Sequence, residues 1–355
     1  MIPRDRVKTA LQHHEADRIP IHDSPWGATV DRWRTEGLPS GIPPSDYFGF
    51  ELTGFGADTS PQFLTEVLSE DAEYIVERNS YGGIRKNHRD LSTTPMVIDY
   101  SCKSREDWEK IKPRLKPSDY RVDWVSGLQS FNRERSRGRF LTYNATVGYD
   151  KIQKYVATER LLRAVIQEPD WVVDMYRTDT ELVTEMCERM IRGGFKFDGA
   201  FIYCDLGYRG GLFFSPKHYE EQLHPVFKEL CKYFHSKEMP VILHCCGKVK
   251  DLIPYFIEED IDCLQPLEVK SGMDLIELKE KYGGKMCFMG GIDVRLMALD
   301  DPKPIEEEIR EKITVAKEGG GYIYHSDHSV PKNVSFKQYK HVIELVKKYG
   351  SYQKS

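Results

Sequence analysis

Val241-Ile242-Leu243-His244-Cys245-Cys246-Gly247-Lys248-Val249-Lys250 opens the stretch that decides the fold, and residues 251–268 (DLIPYFIEEDIDCLQPLE) complete it. The apolar run Pro240 to Leu243 reads as a buried strand ending in His244-Cys245-Cys246-Gly247. Side chains alternate along a strand, so His244 and Cys246 fall on one face and Cys245 on the other. An amphipathic helix follows from Val249 to Ile261, with Leu252, Ile253, Phe256 and Ile257 on one side, and then a short strand from Asp262 to Leu267. Strand, helix and strand in this order make a parallel β-α-β unit. A His and a Cys on one face of a strand end can supply two ligands to Zn2+; equally, they can be a core His beside inert buried thiols.

Outward from this unit the same rhythm repeats. Towards the N-terminus stand strand Arg139 to Val147, helix Asp150 to Ile166, helix Pro169 to Ile191, strand Gly199 to Asp205 and helix Pro216 to Lys237. Towards the C-terminus stand helix Asp274 to Tyr282, strand Lys285 to Asp293, helix Pro304 to Lys317, strand Tyr322 to Ser326 and helix Phe336 to Lys348. One helix per strand implies a parallel sheet, either doubly wound or closed into a barrel. No Gly-rich dinucleotide fingerprint follows any of these strands, which favours the barrel.

The first third is irregular. A helix at Arg4 to His13 leads into an extended Arg18 to Asp23, and a short helix from Ala28 to Glu36 stops at Gly37. Tyr74 to Ser80 and Gly83 to Arg89 alternate as a β-hairpin, and Ser104 caps a helix running to Leu115. The expected architecture is a single (β/α)8 TIM barrel over residues 1–355, with extra N-terminal helices and a hairpin.

Composition narrows the function classes. The net charge is −5, with 51 Lys and Arg against 56 Asp and Glu, which argues against a nucleic-acid or anionic-membrane partner. No apolar run reaches the length of about 18 residues that a membrane span needs. The charged, helical N-terminus does not read as a signal peptide, and 8 Cys at irregular spacing read as reduced thiols. A soluble cytoplasmic protein is expected.

In a barrel, chemistry sits at the C-terminal ends of the strands. Polar groups collect there: Tyr143-Asn144, Tyr203-Cys204-Asp205, His244-Cys245-Cys246, Gln265 to Glu268, Gly290 to Asp293 and Tyr324 to His328. Singly, Asp205 or Asp293 can cap a loop, Glu268 can be solvated and His325 can be a core hydrogen-bonder. Together they outline a site.

The segments DLGYRGGLFFSP (205–216), VILHCCGKV (241–249), DCLQPLE (262–268), MGGID (289–293) and GGGYIYHSDHSVP (319–331), with RVKTALQHHEADRIP (6–20), resemble the uroporphyrinogen decarboxylase superfamily, especially its cobalamin-linked methyltransferase branch. The resemblance implies a (β/α)8 barrel with extra N-terminal helices. It also implies Zn2+ held by a His-x-Cys pair, matched by His244 and Cys246, and by a later Cys whose position here is His328. The true decarboxylases also carry His at that position. Glu268 would ligate or support the ligands. Asp58 is a candidate for the central Asp of the decarboxylases, or a loop cap. Their Arg-rich N-terminal motif is missing from Arg18 to Trp26, so an octa-anionic substrate would be poorly held.

The function expected on this resemblance is zinc-dependent methyl transfer between a small molecule, a methoxylated compound or a thiol, and a corrinoid such as methylcobalamin brought by a separate protein. Asp205, Glu268 and Tyr203 would act at the reacting centre. Trp26, Asp58, Tyr208 and His325 would meet the substrate, with Phe213 beside them, although the aromatic residues can equally be packing. Imidazole in place of thiolate at His328 leaves zinc a stronger Lewis acid, which favours polarising a methyl donor over activating a thiol. A homodimer is compatible with this reading. A cofactor-free decarboxylase of another acid, or a non-catalytic binding protein using the barrel mouth, are the alternatives.

Overall fold

A computed structural model of the chain describes residues 1–89 and 95–352. Seven strands run parallel in one sheet whose spatial order is their order in the chain. They are β1 (Leu52–Phe55), β2 (Phe140–Thr146), β3 (Gly199–Tyr203), β4 (Val241–His244), β5 (Cys263–Gln265), β6 (Cys287–Met289) and β7 (Tyr322–Ile323). Parallel neighbours need crossover connections, and helices supply them.

The sheet curls until its edges meet across the extended segment at Ile21. On one side the Tyr324 N–H donates to the Pro20 carbonyl at 2.9 Å and the His22 N–H donates to the Tyr324 carbonyl at 3.0 Å. On the other side the Glu51 N–H donates to the Ile21 carbonyl at 2.9 Å. The N-terminal segment therefore fills the eighth place in the ring. Pro20 has no N–H to donate, which keeps this place a bridge rather than a full strand.

Two layers of core follow from strand alternation. Inside the ring, Leu52, Phe140, Phe201, Ile242, Cys263, Cys287, Met289 and Ile323 form one buried cluster. Val7, Ala10 and Leu11 of the first helix (Pro3–Leu11) join it, so that helix plugs one end of the barrel. Val241, Leu243 and Cys245 point outward into the larger cluster shared with the surrounding helices. Each fully buried aliphatic or aromatic side chain stabilises by roughly 1.5–3 kcal/mol. The apolar plug leaves the C-terminal end of the ring to polar groups.

The structure departs from the sequence reading in definite places. β1 was not expected, because Gly54 and Gly56 hide its alternation. The helices Pro44–Phe48 and Ser126–Ser136 are also additional. The hairpin is present as the central pair of a four-stranded antiparallel sheet whose outer strands are Glu66–Glu70 and Met96–Asp99. The expected helix Pro216 to Lys237 divides at Leu223 into Pro216–Gln222 and His224–His235, with Pro225 in the first turn of the second piece. Proline cannot donate to the preceding turn, so a continuous helix would lose a bond there. In the same way Val249 to Ile261 becomes a short 3-10 turn, Lys250–Leu252, and the helix Ile253–Glu258 with Pro254 near its start. Asp150 to Ile166 divides into Gly148–Ile152 and Thr158–Gln167.

Candidate metal centre and substrate cavity

β3 and β4 pair in parallel with Tyr203 opposite His244, so Asp205 and Cys246 stand at matching positions just beyond their ends. The Cys246 N–H donates to Asp205 Oδ1 at 2.8 Å, which fixes the carboxylate over the strand end. Cys246 Sγ lies 3.3 Å from His244 Nε2, and His244 Nε2 lies 3.6 Å from Asp205 Oδ1. One donor atom from each of the three falls within 4.8 Å of the other two. All three are half-buried.

The imidazole is oriented from the next strand. Its Nδ1 pairs with Gln265 Oε1 on β5, so Nδ1 carries the proton and Nε2 turns its lone pair towards Cys246 and Asp205. Burial pulls the His244 pKa down against the upward pull of Asp205, which favours the neutral, ligating form. Burial pushes the Cys246 thiol well up, and the Asp205 and Glu268 carboxylates push it further. A divalent cation at this point would reverse that balance, because it stabilises the thiolate outright.

Gly247 makes the turn after Cys246. Its φ is +87°, and a Cβ there would stand 2.2 Å from the backbone carbon of Gly207. Its N–H donates to Glu268 Oε2 at 3.0 Å, and that oxygen also accepts from Ser271 Oγ at 2.7 Å. Glu268 Oε1 pairs with Lys270 Nζ at 2.8 Å. Glu268 is thus spent on holding the Gly247 turn and lies outside the three-residue donor group.

The cluster opens on a cavity of about 270 Å3 whose wall includes His22, Ser24, Tyr203, Gln265, His325 and His328. His328 shares this cavity but stands outside the donor group; its Nδ1 faces the Ser329 carbonyl at 3.3 Å and its ring meets Trp26 edge-on at 5.8 Å. His325 is buried, with Nδ1 donating to the Ser326 carbonyl at 2.6 Å and Nε2 lying 3.4 Å from Ser24 Oγ and 3.7 Å from Asp23 Oδ1. Asp23 in turn accepts from Tyr339 Oη at 2.8 Å. Among the described residues, those lining the cavity include no Lys or Arg.

The other expected substrate residues are more dispersed. Tyr203 lines the cavity, its ring 5.1 Å from that of His244. Trp26 and Tyr208 are exposed and outside the lining, and Phe213 stacks on Tyr149 at 5.3 Å. Asp58 acts as a loop cap, accepting from the Ser60 N–H at 2.8 Å and the Gln62 side chain at 3.1 Å. His22 and Ser24 are cavity residues that the sequence reading did not assign, whereas Asn144 lines the cavity as one of the polar strand ends it singled out. Recognising Ile19 to His22 as a barrel position would have placed His22 and Ser24 at a strand end, where barrel chemistry sits.

A closed ring of parallel strands with imidazole, thiol and carboxylate donors at its C-terminal mouth defines a β/α barrel with a candidate metal centre. The uroporphyrinogen decarboxylase (URO-D) family matches residues 90–349, and the chain belongs to this family. Among solved structures, a methyltransferase from Methanosarcina mazei superposes with a TM-score of 0.67 at 13% identity, over 98% of this chain and 99% of that one. A sugar phosphate isomerase/epimerase from Parabacteroides distasonis reaches a TM-score of 0.38 at 10% identity, over 94% and 96% of the two chains. No curated protein matches the chain in sequence.

Proposed function

We infer that this chain is a zinc-dependent methyltransferase that moves a methyl group between a small substrate, a methoxylated compound or a thiol, and a corrinoid carried by a separate protein. The observation that carries the reading is the Asp205–His244–Cys246 group at the cavity mouth. Nitrogen, sulfur and carboxylate donors that converge from two adjacent strand ends suit zinc, and three protein donors leave a position for substrate, as catalytic zinc sites do. The family and the fold shared with the Methanosarcina mazei methyltransferase support it at the level of architecture.

Zinc bound there would supply Lewis-acid polarisation of a methyl donor or of an incoming thiol. The chain's own residues do the rest. Gln265 holds the His244 tautomer, the Cys246 N–H holds Asp205, and Glu268 holds the Gly247 turn. Asp205 as third donor restores the negative charge that imidazole at His328 would withhold, so both directions of transfer remain chemically open to this site. Among the described residues the cavity wall has no Lys or Arg, which disfavours a polycarboxylate, since that needs guanidinium partners; the rival reading is cofactor-free decarboxylation of another acid.

The test is zinc analysis of the purified protein, together with assays of methyl transfer to and from cobalamin using a panel of thiols and methoxylated compounds. About one zinc per chain and turnover of one panel member are expected. A metal-replete preparation that binds no zinc would remove the proposal.

A further inference from the structure

Two imidazoles of the cavity wall have a carboxylate beside them. His244 faces Asp205 in the donor group, and His325 Nε2 lies 3.7 Å from Asp23 Oδ1. Gln265 stands between the two rings, with Oε1 on His244 Nδ1 and Nε2 at 3.4 Å from both nitrogens of His325. Equal distances place the amide across the His325 ring rather than in line with either nitrogen, so it does not fill Nε2.

Asp23 is a built feature that the metal group does not use. Its side chain is wholly buried. Oδ2 accepts from Ser326 Oγ at 2.5 Å, Tyr339 Oη at 2.8 Å and Tyr324 Oη at 3.4 Å, while Oδ1 accepts from the Ser24 N–H at 2.9 Å. These donors come from the N-terminal segment, the end of β7 and the last helix, so three parts of the chain hold one carboxylate in place. A desolvated carboxylate is costly unless a positive charge can form next to it. Among the described residues, the ionisable nitrogen beside Asp23 is His325 Nε2.

The two nitrogens of His325 have different tasks. A carbonyl only accepts, so the 2.6 Å contact with the Ser326 carbonyl commits Nδ1 to carrying a proton. Nε2 is uncommitted: its contact with Ser24 Oγ, a cavity residue, is 3.4 Å, longer than a full hydrogen bond. Nε2 is therefore the nitrogen that can give a proton to a molecule in the cavity or take one from it. Asp23 stabilises the ring while it bears the extra charge. The other wall imidazoles suit this task less well. Burial, reinforced by the neighbouring His325, pushes the His22 pKa down to about 3. His244 is taken up by the donor group, and His328 rests against the Ser329 carbonyl and Trp26.

We propose that His325 is a catalytic residue that moves the proton of methyl transfer at Nε2, with Asp23 as its positioning carboxylate. This deepens the methyltransferase reading and rests on it for the reacting partners. As the C–O bond of a methoxy group breaks, its electron pair stays on oxygen. The methyl carbon passes to a reduced corrinoid, which supplies the electron pair of the new bond and is thereby oxidised. The oxygen takes the proton from Nε2 and leaves as a hydroxyl, and the ring regains a proton from solvent. With a thiol as acceptor, the S–H proton passes to Nε2 as sulfur takes the methyl group and the corrinoid recovers the electron pair.

The first test needs no turnover. Ring 15N signals of the histidine-labelled wild type should show His325 with its proton fixed on Nδ1; a proton fixed on Nε2 with Nδ1 bare overturns the proposal. The second compares methoxybenzene with 1-methoxy-4-nitrobenzene as methyl donors to reduced cobalamin, because nitrophenolate leaves without needing a proton. His325→Gln should slow the first by at least ~100-fold, the scale of a lost general acid, and the second by less than ~10-fold. Asp23→Asn should show the same selectivity, with zinc content unchanged. Equal slowing of both donors, or an unslowed methoxybenzene, overturns the proposal, as does a zinc-loaded wild type that turns over neither ether. A wild type that binds no zinc defeats the methyltransferase reading instead, and the ring signals then decide the assignment of Nε2 by themselves.

Discussion

Cys245 and Cys246 leave consecutive positions in opposite directions: Cys246 Sγ stands 3.3 Å from His244 Nε2, whereas Cys245 is buried in the outer core between sheet and helices. Adjacent thiols of the same type therefore meet two different solvents, a polar cavity and a hydrocarbon layer.

Cys246→Ala should abolish zinc binding, while Cys245→Ala should keep it and lower stability by about 1 kcal/mol, the cost of losing a small buried group. Metal analysis and urea denaturation of both variants check this. Equal zinc loss in the two would break the strand-face assignment.

Asp205→Asn keeps an oxygen for the Cys246 N–H but removes the anionic donor. It should weaken zinc binding by at least ~10-fold, the scale of losing even a supporting partner. His328→Ala should change zinc affinity by less than about 3-fold, since His328 lies outside the donor group. A loss in His328→Ala as large as in Cys246→Ala would make His328 the third ligand.

Gly247→Ala should destabilise the protein by on the order of 3 kcal/mol, combining a left-handed φ with contact against the Gly207 backbone. Because Gly247 sits between Cys246 and the Glu268 anchor, zinc affinity should fall as well. A variant with an unchanged melting temperature and full zinc content would contradict the close approach of these two loops.

His235 pairs with Asp262 at 2.8 Å, and that bond, more than burial opposes it, raises the His235 pKa above its ordinary 6.5. A histidine with a raised folded pKa contributes stability that is complete below about 6.5, its unfolded value, and is lost as pH climbs through the folded value. Wild-type stability should therefore decline as pH rises from just above 6.5, and His235→Gln should flatten that decline. Denaturation midpoints measured across neutral pH check the sign. The same Asp262 oxygen accepts the Val241 N–H at 2.6 Å, so the histidine must be replaced rather than the aspartate.

Much of this protein is legible in its residues because strand periodicity is local. Val241 to Leu243 needs only its own alternation to send Ile242 inward and Cys245 outward, and His244 and Cys246 follow on the inward side. The alternation of helices and strands from Arg139 onward was readable for the same reason, and so was the placing of polar residues at strand ends. Helix breaks at Leu223 and before Ile253 were missed although Pro225 and Pro254 mark them, because apolar spacing ran on across both sites.

Three features needed the fold. β1 is written in residues such as Gly54 whose role, making room for Asn144, belongs to a partner 90 positions away in the chain. The eighth place in the ring is filled by Pro20 to His22, which bond to Tyr324 on one side through Pro20 and His22 and to Glu51 on the other through Ile21 only after the sheet has curled. Asp205 joins His244 and Cys246 because β3 and β4 pair with Tyr203 opposite His244, a register that a sequence does not state. The sequence by itself determined which side chains share a face, since that is the geometry of a single strand; which faces meet, and so which donors converge, was decided by strand pairing and ring closure, interactions between residues far apart in the chain.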